Sequence, residues 1–273
     1  MTKESFDLKL DRASQHLEEL KRELSAFANR DIYRAIRLDV TNRKRQELRW
    51  KLQFDEAPPE MLPLIVGDLV HNVRTALDHL VVRYVPSRYR HSAFFPICST
   101  KPYDDNEIPL DNEAGKNWAL ATRGLSPRRL DQVKLLQPFH SPDAATLEYC
   151  DEHGIEPNDV QALHFVSRFD NADKHRGPIK VVYGLMNVNM EVSGLDGWSF
   201  PPHLANGFCQ NGGTIVALDK QAIGSARPSI TVRGDVTVAI EVRKEVGVAR
   251  LPGTLERLIG HGRDIVAAFC KLG

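Results

Sequence analysis

No stretch of this sequence approaches the roughly 18 consecutive apolar residues that a membrane-spanning helix requires, so no membrane partner is expected. Net charge is missing too: 36 Lys and Arg balance 36 Asp and Glu. Such a chain does not offer its whole surface to nucleic acid or anionic lipid, although a local basic patch is compatible with it. Cysteines are few, Cys98, Cys150, Cys209 and Cys270, and none stand as Cys-x-x-Cys. Free thiols in a reducing compartment are expected, rather than disulfides or a cysteine zinc centre. The opening Met-Thr-Lys-Glu-Ser-Phe-Asp is charged and has no apolar core, so no signal peptide is read and a cytoplasmic location is expected. Absent as well are a Gly-x-x-x-x-Gly-Lys loop, a dinucleotide fingerprint, a Gly-x-Ser-x-Gly elbow and a His-Glu-x-x-His pair. ATP, nicotinamide and serine-hydrolase chemistry therefore have no foothold, and no cofactor is expected.

What is present starts with periodicity. Phe6, Leu10, Ala13, Leu17, Leu20, Leu24 and Phe27 recur every three or four residues, the seam of one long helix. From Tyr33 to Phe54 the period falls to two. Ile36, Leu38 and Val40 alternate with Arg37 and Asp39, and Leu48, Trp50, Leu52 and Phe54 alternate with Arg49, Lys51 and Gln53. This reads as a β-hairpin with one wet face. Residues 30–51 hold eight Arg or Lys against three acids, a ribbon that can touch phosphate or simply a charged, aggregation-resistant edge.

Ala57-Pro-Pro-Glu60 breaks the chain before a helix over residues 61–84. Residues 86–120 read as loop with short extended pieces, including a buried Phe94-Phe-Pro-Ile97. Ser126-Pro127 starts a helix that stops at Gln137-Pro138, and Arg123, Arg128, Arg129 and Lys134 make it a basic spot. Asn158-Asp159 opens another helix, ended by Gly177-Pro178. Short β-rich runs follow, at 179–182, 186–192, 214–218, 229–232 and 236–242, and residues 252–272 form a closing helix. The expected fold is α+β: a helical bundle over 1–176 interrupted by the hairpin at 33–54, then an antiparallel sheet and a C-terminal helix over 177–273.

The helix at 61–84 is organised in two halves. At about 100° per residue, Ile65, Leu69, Val73, Ala76, Leu77, Leu80 and Tyr84 share one side. Asp68, Asn72, Thr75 and His79 form a band opposite, with His71, Arg74 and Asp78 beside it. Solvated faces favour Lys and Glu; this set is chosen against helix propensity, which points to a task. The later helix carries a second polar line, His164, Arg168, Asn171 and His175, followed by Lys174 and Arg176 at its end. Histidine moves protons near neutral pH, and arginine stabilises phosphate with paired donors. Together they suit RNA cleavage without a metal, with Asp78 or Asp68 orienting a ring nitrogen.

Arg74-Thr-Ala-Leu-Asp-His79 places an Arg four residues before a His on a helix. It resembles the motif of the HEPN superfamily of helical proteins, an Arg followed after four to six residues by a His. Arg168 and His175 fit the same spacing. The resemblance implies catalytic roles for Arg74 and His79, metal-independent endoribonuclease activity or RNA binding, and a homodimer in which two motifs meet. On the residues themselves, Asp78 and His175 join Arg74 and His79 as catalytic candidates. Asn72, His71, Arg168, Asn171, Lys174 and Arg176 are candidates for substrate binding. The wider pattern, Asn72-x-Arg-x-Ala-Leu-Asp-His79 with the later Asn171-x-x-Lys-His-Arg176, is similar to that of a group of uncharacterised bacterial proteins and brings no activity with it. Two other readings stay open. One is a non-enzymatic helical dimer or interaction protein whose polar stripes are structural: an Arg74–Asp78 helix pair and a buried hydrogen-bond network around His71, Asn72 and His79. The other is a metal-dependent hydrolase using Asp68, His71 and His79 with a residue from the later helix.

Overall fold

The computed structural model describes residues 3–41, 46–139, 163, 165–167, 169–171, 179–195, 208–241 and 248–272. The fold is mixed α+β. Helix α1 (Ser5–Ala28) leads into the hairpin β1 (Tyr33–Thr41) and β2 (Gln46–Phe54), then α2 (Leu62–Tyr84), α3 (Glu113–Thr122) and α4 (Pro127–Leu135). The described residues between 163 and 171 are helical. Then come β3 (Val181–Ser193), β4 (Cys209–Gln210), β5 (Thr214–Asp219), a single turn α5 (Lys220–Ile223), β6 (Ser229–Glu241), β7 (Val248–Arg250) and α6 (Gly253–Lys271). Among the described residues no helix is long and apolar enough to cross a membrane. Cys98, Cys209 and Cys270 are free thiols.

The chain forms two compact units, each discontinuous in sequence. One comprises residues 1–20, 63–179 and 252–273, the other 21–62 and 180–251. This differs from the linear division expected at residue 176. The hairpin does not stay with the helices because β2 pairs antiparallel with β5, giving a sheet in the order β1-β2-β5. A lone two-stranded hairpin is marginal in water, and a third strand satisfies its backbone. The closing helix α6, in turn, belongs to the helical unit.

In the helical unit, α1 buries Phe6, Leu10, Ala13 and Leu17, and α6 buries Leu255, Leu258, Ile259, Ile265, Val266 and Phe269. Gly262 marks where α6 meets both neighbours: a Cβ there would sit 3.1 Å from Leu10 Cδ2 and 3.5 Å from Val73 Cγ1. Tyr84 packs on Phe269 with ring centroids 5.8 Å apart. Helix α3, absent from the sequence expectation, is capped by Asn112, whose side chain accepts from the Gly115 amide. A glycine in a first turn reads as loop, yet here it is required. A Cβ at Gly115 would lie 2.1 Å from the Leu110 carbonyl oxygen. Pro127 opens α4 as expected, but Ser126 makes no side-chain cap bond.

The second unit adds a sheet in the order β4-β3-β6-β7. Two pairs of expected short runs are single long strands. The interruption in β3 is a register shift between Met186 and Asn189, not a turn. Asn187 takes φ 49° there, a left-handed conformation that Asn tolerates, and its amide donates to Asp235. Phe27, Tyr33, Phe54 and Tyr183 form an aromatic cluster with centroid spacings of 5.1–6.3 Å. The hairpin register corrects the expectation of one wet face. Trp50 pairs with Arg37 and Leu52 with Ala35, whereas Ile36 pairs with Lys51 and Leu38 with Arg49. Cross-strand partners point the same way, so the apolar residues of β1 and β2 lie on opposite faces. Those of β2 are buried; Leu38 is 36 % exposed.

His261 in α6 is 2 % exposed, and neither ring nitrogen has a hydrogen-bond partner. Burial lowers its pKa from the usual 6.5 to about 4. The folded state therefore binds its proton more weakly than the unfolded state does. Stability is whole above pH 6.5 and falls as pH drops from 6.5 toward 4, by about 3 kcal/mol at the acid end. His261→Leu should flatten urea-midpoint curves over that window, and an unchanged acid slope would show that another group is responsible.

Candidate functional site

The apolar side of α2 is wider than the expected stripe. Val66, Val70 and Val81 are buried along with Ile65, Leu69, Val73, Ala76, Leu77 and Leu80. What remains is a narrow polar strip, and the structure gives each of its members a definite partner or opening.

His71 is the point at which the polar strip meets the later helix. Its Nδ1 lies 2.9 Å from Asp170 Oδ1. Asp170 is only 5 % exposed, while the His71 side chain is 46 % exposed. A carboxylate at Nδ1 accepts the proton there and leaves Nε2 with its lone pair outward. Thr75 Oγ1 stands 3.4 Å from that Nε2. The orienting carboxylate is thus Asp170, and neither Asp68 nor Asp78. Asp68 is exposed, with its carbonyl accepting from the buried Asn72 amide at 2.7 Å, so Asn72 is turned back on its own helix.

Arg74 and Asp78 form a separate unit. Arg74 Nη2 contacts Asp78 Oδ1 at 3.0 Å, with the Arg side chain 14 % exposed. The same Asp78 oxygen accepts the Phe95 amide at 3.0 Å. Phe95 is fully buried, and this bond pins the strap at 95–98 to α2. Gln137 holds the strap's other end: its Nε2 donates to the Pro96 and Val133 carbonyls, and its Oε1 accepts the Cys98 amide. Burial pushes the Cys98 thiol up to about 11, with the Arg74 charge opposing that shift.

His79 faces elsewhere. It is half-buried, its Nδ1 is without a partner, and it lines an open pocket of about 430 Å³ with Ser5, Val82, Arg83 and Arg90. Arg83 donates from Nε to Glu4 at 3.2 Å, and Arg90 from Nε to the Val85 carbonyl at 3.4 Å. Arg88 and Arg123 both lie against the Tyr89 ring, at 4.8 and 4.7 Å from its centroid. Arg129 stacks on Tyr84 at 3.9 Å. The basic spot expected around α4 is thereby divided: Arg123 joins the Tyr89 group, while Lys134 is neutralised by Glu107 and Asp131.

The structure therefore brings Arg74 to Asp78 and His71 to Asp170, but it does not place Arg74 among the residues lining the His79 pocket. Asn171 is exposed. His164, Arg168, Lys174, His175 and Arg176 lie outside the described residues. For the alternative reading as a metal site, with Asp68, His71, His79 and a residue of the later helix, among the described residues no three His, Cys, Asp or Glu are grouped to hold a metal ion. Asp170, Arg83 and Arg90 were not singled out from sequence. Asp170 had a signal, since it stands four residues after Val166 and seven after Leu163, a carboxylate on the apolar stripe. Arg83 follows His79 by one helical turn. Arg90 reaches the pocket from beyond α2, which no periodicity reports. No protein-family model, curated protein or solved structure matches the chain.

Asp78 holds a guanidinium and a backbone amide at once. Asp78→Ala should cost about 2 kcal/mol, the scale of an orphaned buried donor. Asp78→Asn keeps an acceptor and should cost less. Urea denaturation of both variants checks the order, and equal losses would show that the Phe95 bond is not what matters.

Proposed function

We propose that this protein binds RNA at the pocket beside α2 and cleaves it without a metal, in the manner of HEPN-type ribonucleases. The observation that carries this reading is that the His79 ring lines an open pocket together with two guanidiniums, Arg83 and Arg90; its Nδ1 is buried without a partner, so Nε2 is the nitrogen that serves the substrate. A phosphodiester needs that combination. Arginines bind the non-bridging oxygens and stabilise the charge that builds up at phosphorus. The imidazole takes the proton from the 2′-hydroxyl as its oxygen attacks phosphorus, or gives one to the departing 5′-oxygen. The products are a 2′,3′-cyclic phosphate and a free 5′-hydroxyl, so protons and bonds balance with no co-reactant.

Arginines also stack on Tyr89, the residue before Arg90, and on Tyr84, the residue after Arg83. Guanidinium and aromatic planes together suit unpaired bases and their backbone, which makes single-stranded RNA the favoured substrate class. The reading departs from the HEPN resemblance at one residue. Arg74, paired with Asp78, supports the 95–98 strap, and Arg90, with Arg83 exchanging its exposed Glu4 partner, takes the phosphate. His71, oriented by Asp170, lies apart from this pocket.

A second reading has its own support. The arginine of the motif is largely buried and held in an intramolecular pair, which suits a non-enzymatic interaction protein. The two separate on one experiment. Mixed RNA is incubated with the protein in chelator, comparing wild type with His79→Ala and Arg90→Ala. Cleavage should fall at least a hundredfold in His79→Ala, and single-stranded RNA affinity should fall in Arg90→Ala with a shallower salt dependence. Binding without cleavage leaves an RNA-binding protein. Equal background in all three samples, with no retained RNA, leaves the interaction protein.

A further inference from the structure

The outer edge of β1 is the other feature of the molecule that calls for a partner. β1 is the end strand of its sheet; β6 meets it at its start, where the Tyr33 hydroxyl donates to the Gly234 carbonyl and accepts from the Gly234 amide, but among the described residues no strand pairs with its far side. Its outward face carries Ile36, Leu38 and Val40, with Leu38 36 % exposed. An apolar row on an edge strand with no ladder partner is a liability that proteins normally remove. Here it is interleaved with Arg37 and Asp39 instead.

We infer that β1 pairs antiparallel with β1 of a second copy, joining two three-stranded sheets into one of six strands. The symmetry of such a pair leaves few choices. A two-fold axis normal to the sheet keeps every side chain on its own face, so some residue must stand opposite its own copy. Centring on Arg37 sets Arg37 against Arg37 of the second copy, and centring on Asp39 sets two carboxylates together; like charges directly opposite are destabilising. Centring on Leu38 resolves everything at once. Leu38 meets Leu38, Ile36 meets Val40 twice, Arg37 meets Asp39 twice, and Ala35 meets Thr41 twice. All seven positions fall within the observed strand. Asp39 is 63 % exposed while it contacts Lys220, so it can take a second cation. The charge order that protects the edge from foreign strands is the one that fits its own copy. This interface lies wholly in the sheet unit and does not rest on the RNA reading.

Sedimentation equilibrium tests it. Wild type should be a dimer. Arg37→Asp sets Asp against Asp twice and Asp39→Arg sets Arg against Arg twice, so each variant alone should weaken the dimer at least tenfold. An equimolar mixture of the two should recover it, because each altered residue then faces its opposite. Thermal melts of each variant confirm folding. Should Asp39→Arg fold poorly on losing Lys220, Leu38→Cys provides the second measurement. Directly opposed Cβ atoms lie about 5 Å apart, and mild oxidation should trap a covalent dimer that wild type does not form. A monomeric wild type, single variants that dimerise like wild type, or a mixture that recovers nothing together with no Leu38→Cys crosslink would overturn the inference.

Discussion

Burial of one side of α2 dictates where the candidate side chains of the helical unit can go. Each of its Leu, Ile and Val residues contributes roughly 1.5–3 kcal/mol when removed from water, and nine such side chains from Leu62 to Val81 are at or below 4 % exposure. The Arg74–Asp78 pair on the opposite side contributes on the order of 0.5 kcal/mol as a helix pair. The apolar side therefore sets the helix's rotation, and the polar strip takes whatever direction remains. Gly262 lets α6 approach closely enough to complete that burial.

Given that rotation, the polar strip resolves into three separate arrangements rather than one line. His71 reaches the buried Asp170, Arg74 and Asp78 hold the 95–98 strap, and His79 opens into the pocket with Arg83 and Arg90. Arg74 and His79 are five residues apart, about 140° around the helix, so one residue can be structural while the other stays open. A spacing motif on a helix states that two residues lie within two turns of each other; it does not state that they face a common substrate.

The hairpin shows the same limit in a strand. The alternation in β1 and in β2 was plain in each strand taken alone. Which face each set occupied depended on register, and a shift of one residue in pairing reverses the face of every side chain. The register pairs Leu38 with Arg49, leaving an apolar row outward. Only β5, more than 150 residues further on, completes the sheet from the other side.

Local pattern alone determined the long helices, the hairpin, the run of strands and the closing helix, because periodicities of 3.6 and 2 are properties of neighbouring residues. It also marked α2 as unusual and named His71, Arg74, Asp78 and His79. Helix α3 escaped because Gly115 lowers helix propensity while serving a backbone contact with Leu110 that no local rule contains. Tertiary structure alone decided that Asp170 would orient His71, that Arg90 would come to His79 from outside the helix, and that the hairpin would join β5 rather than the bundle. Each of these joins residues distant in sequence or on different elements, and their meeting is set by which apolar faces are buried together, a constraint that acts on the whole chain at once.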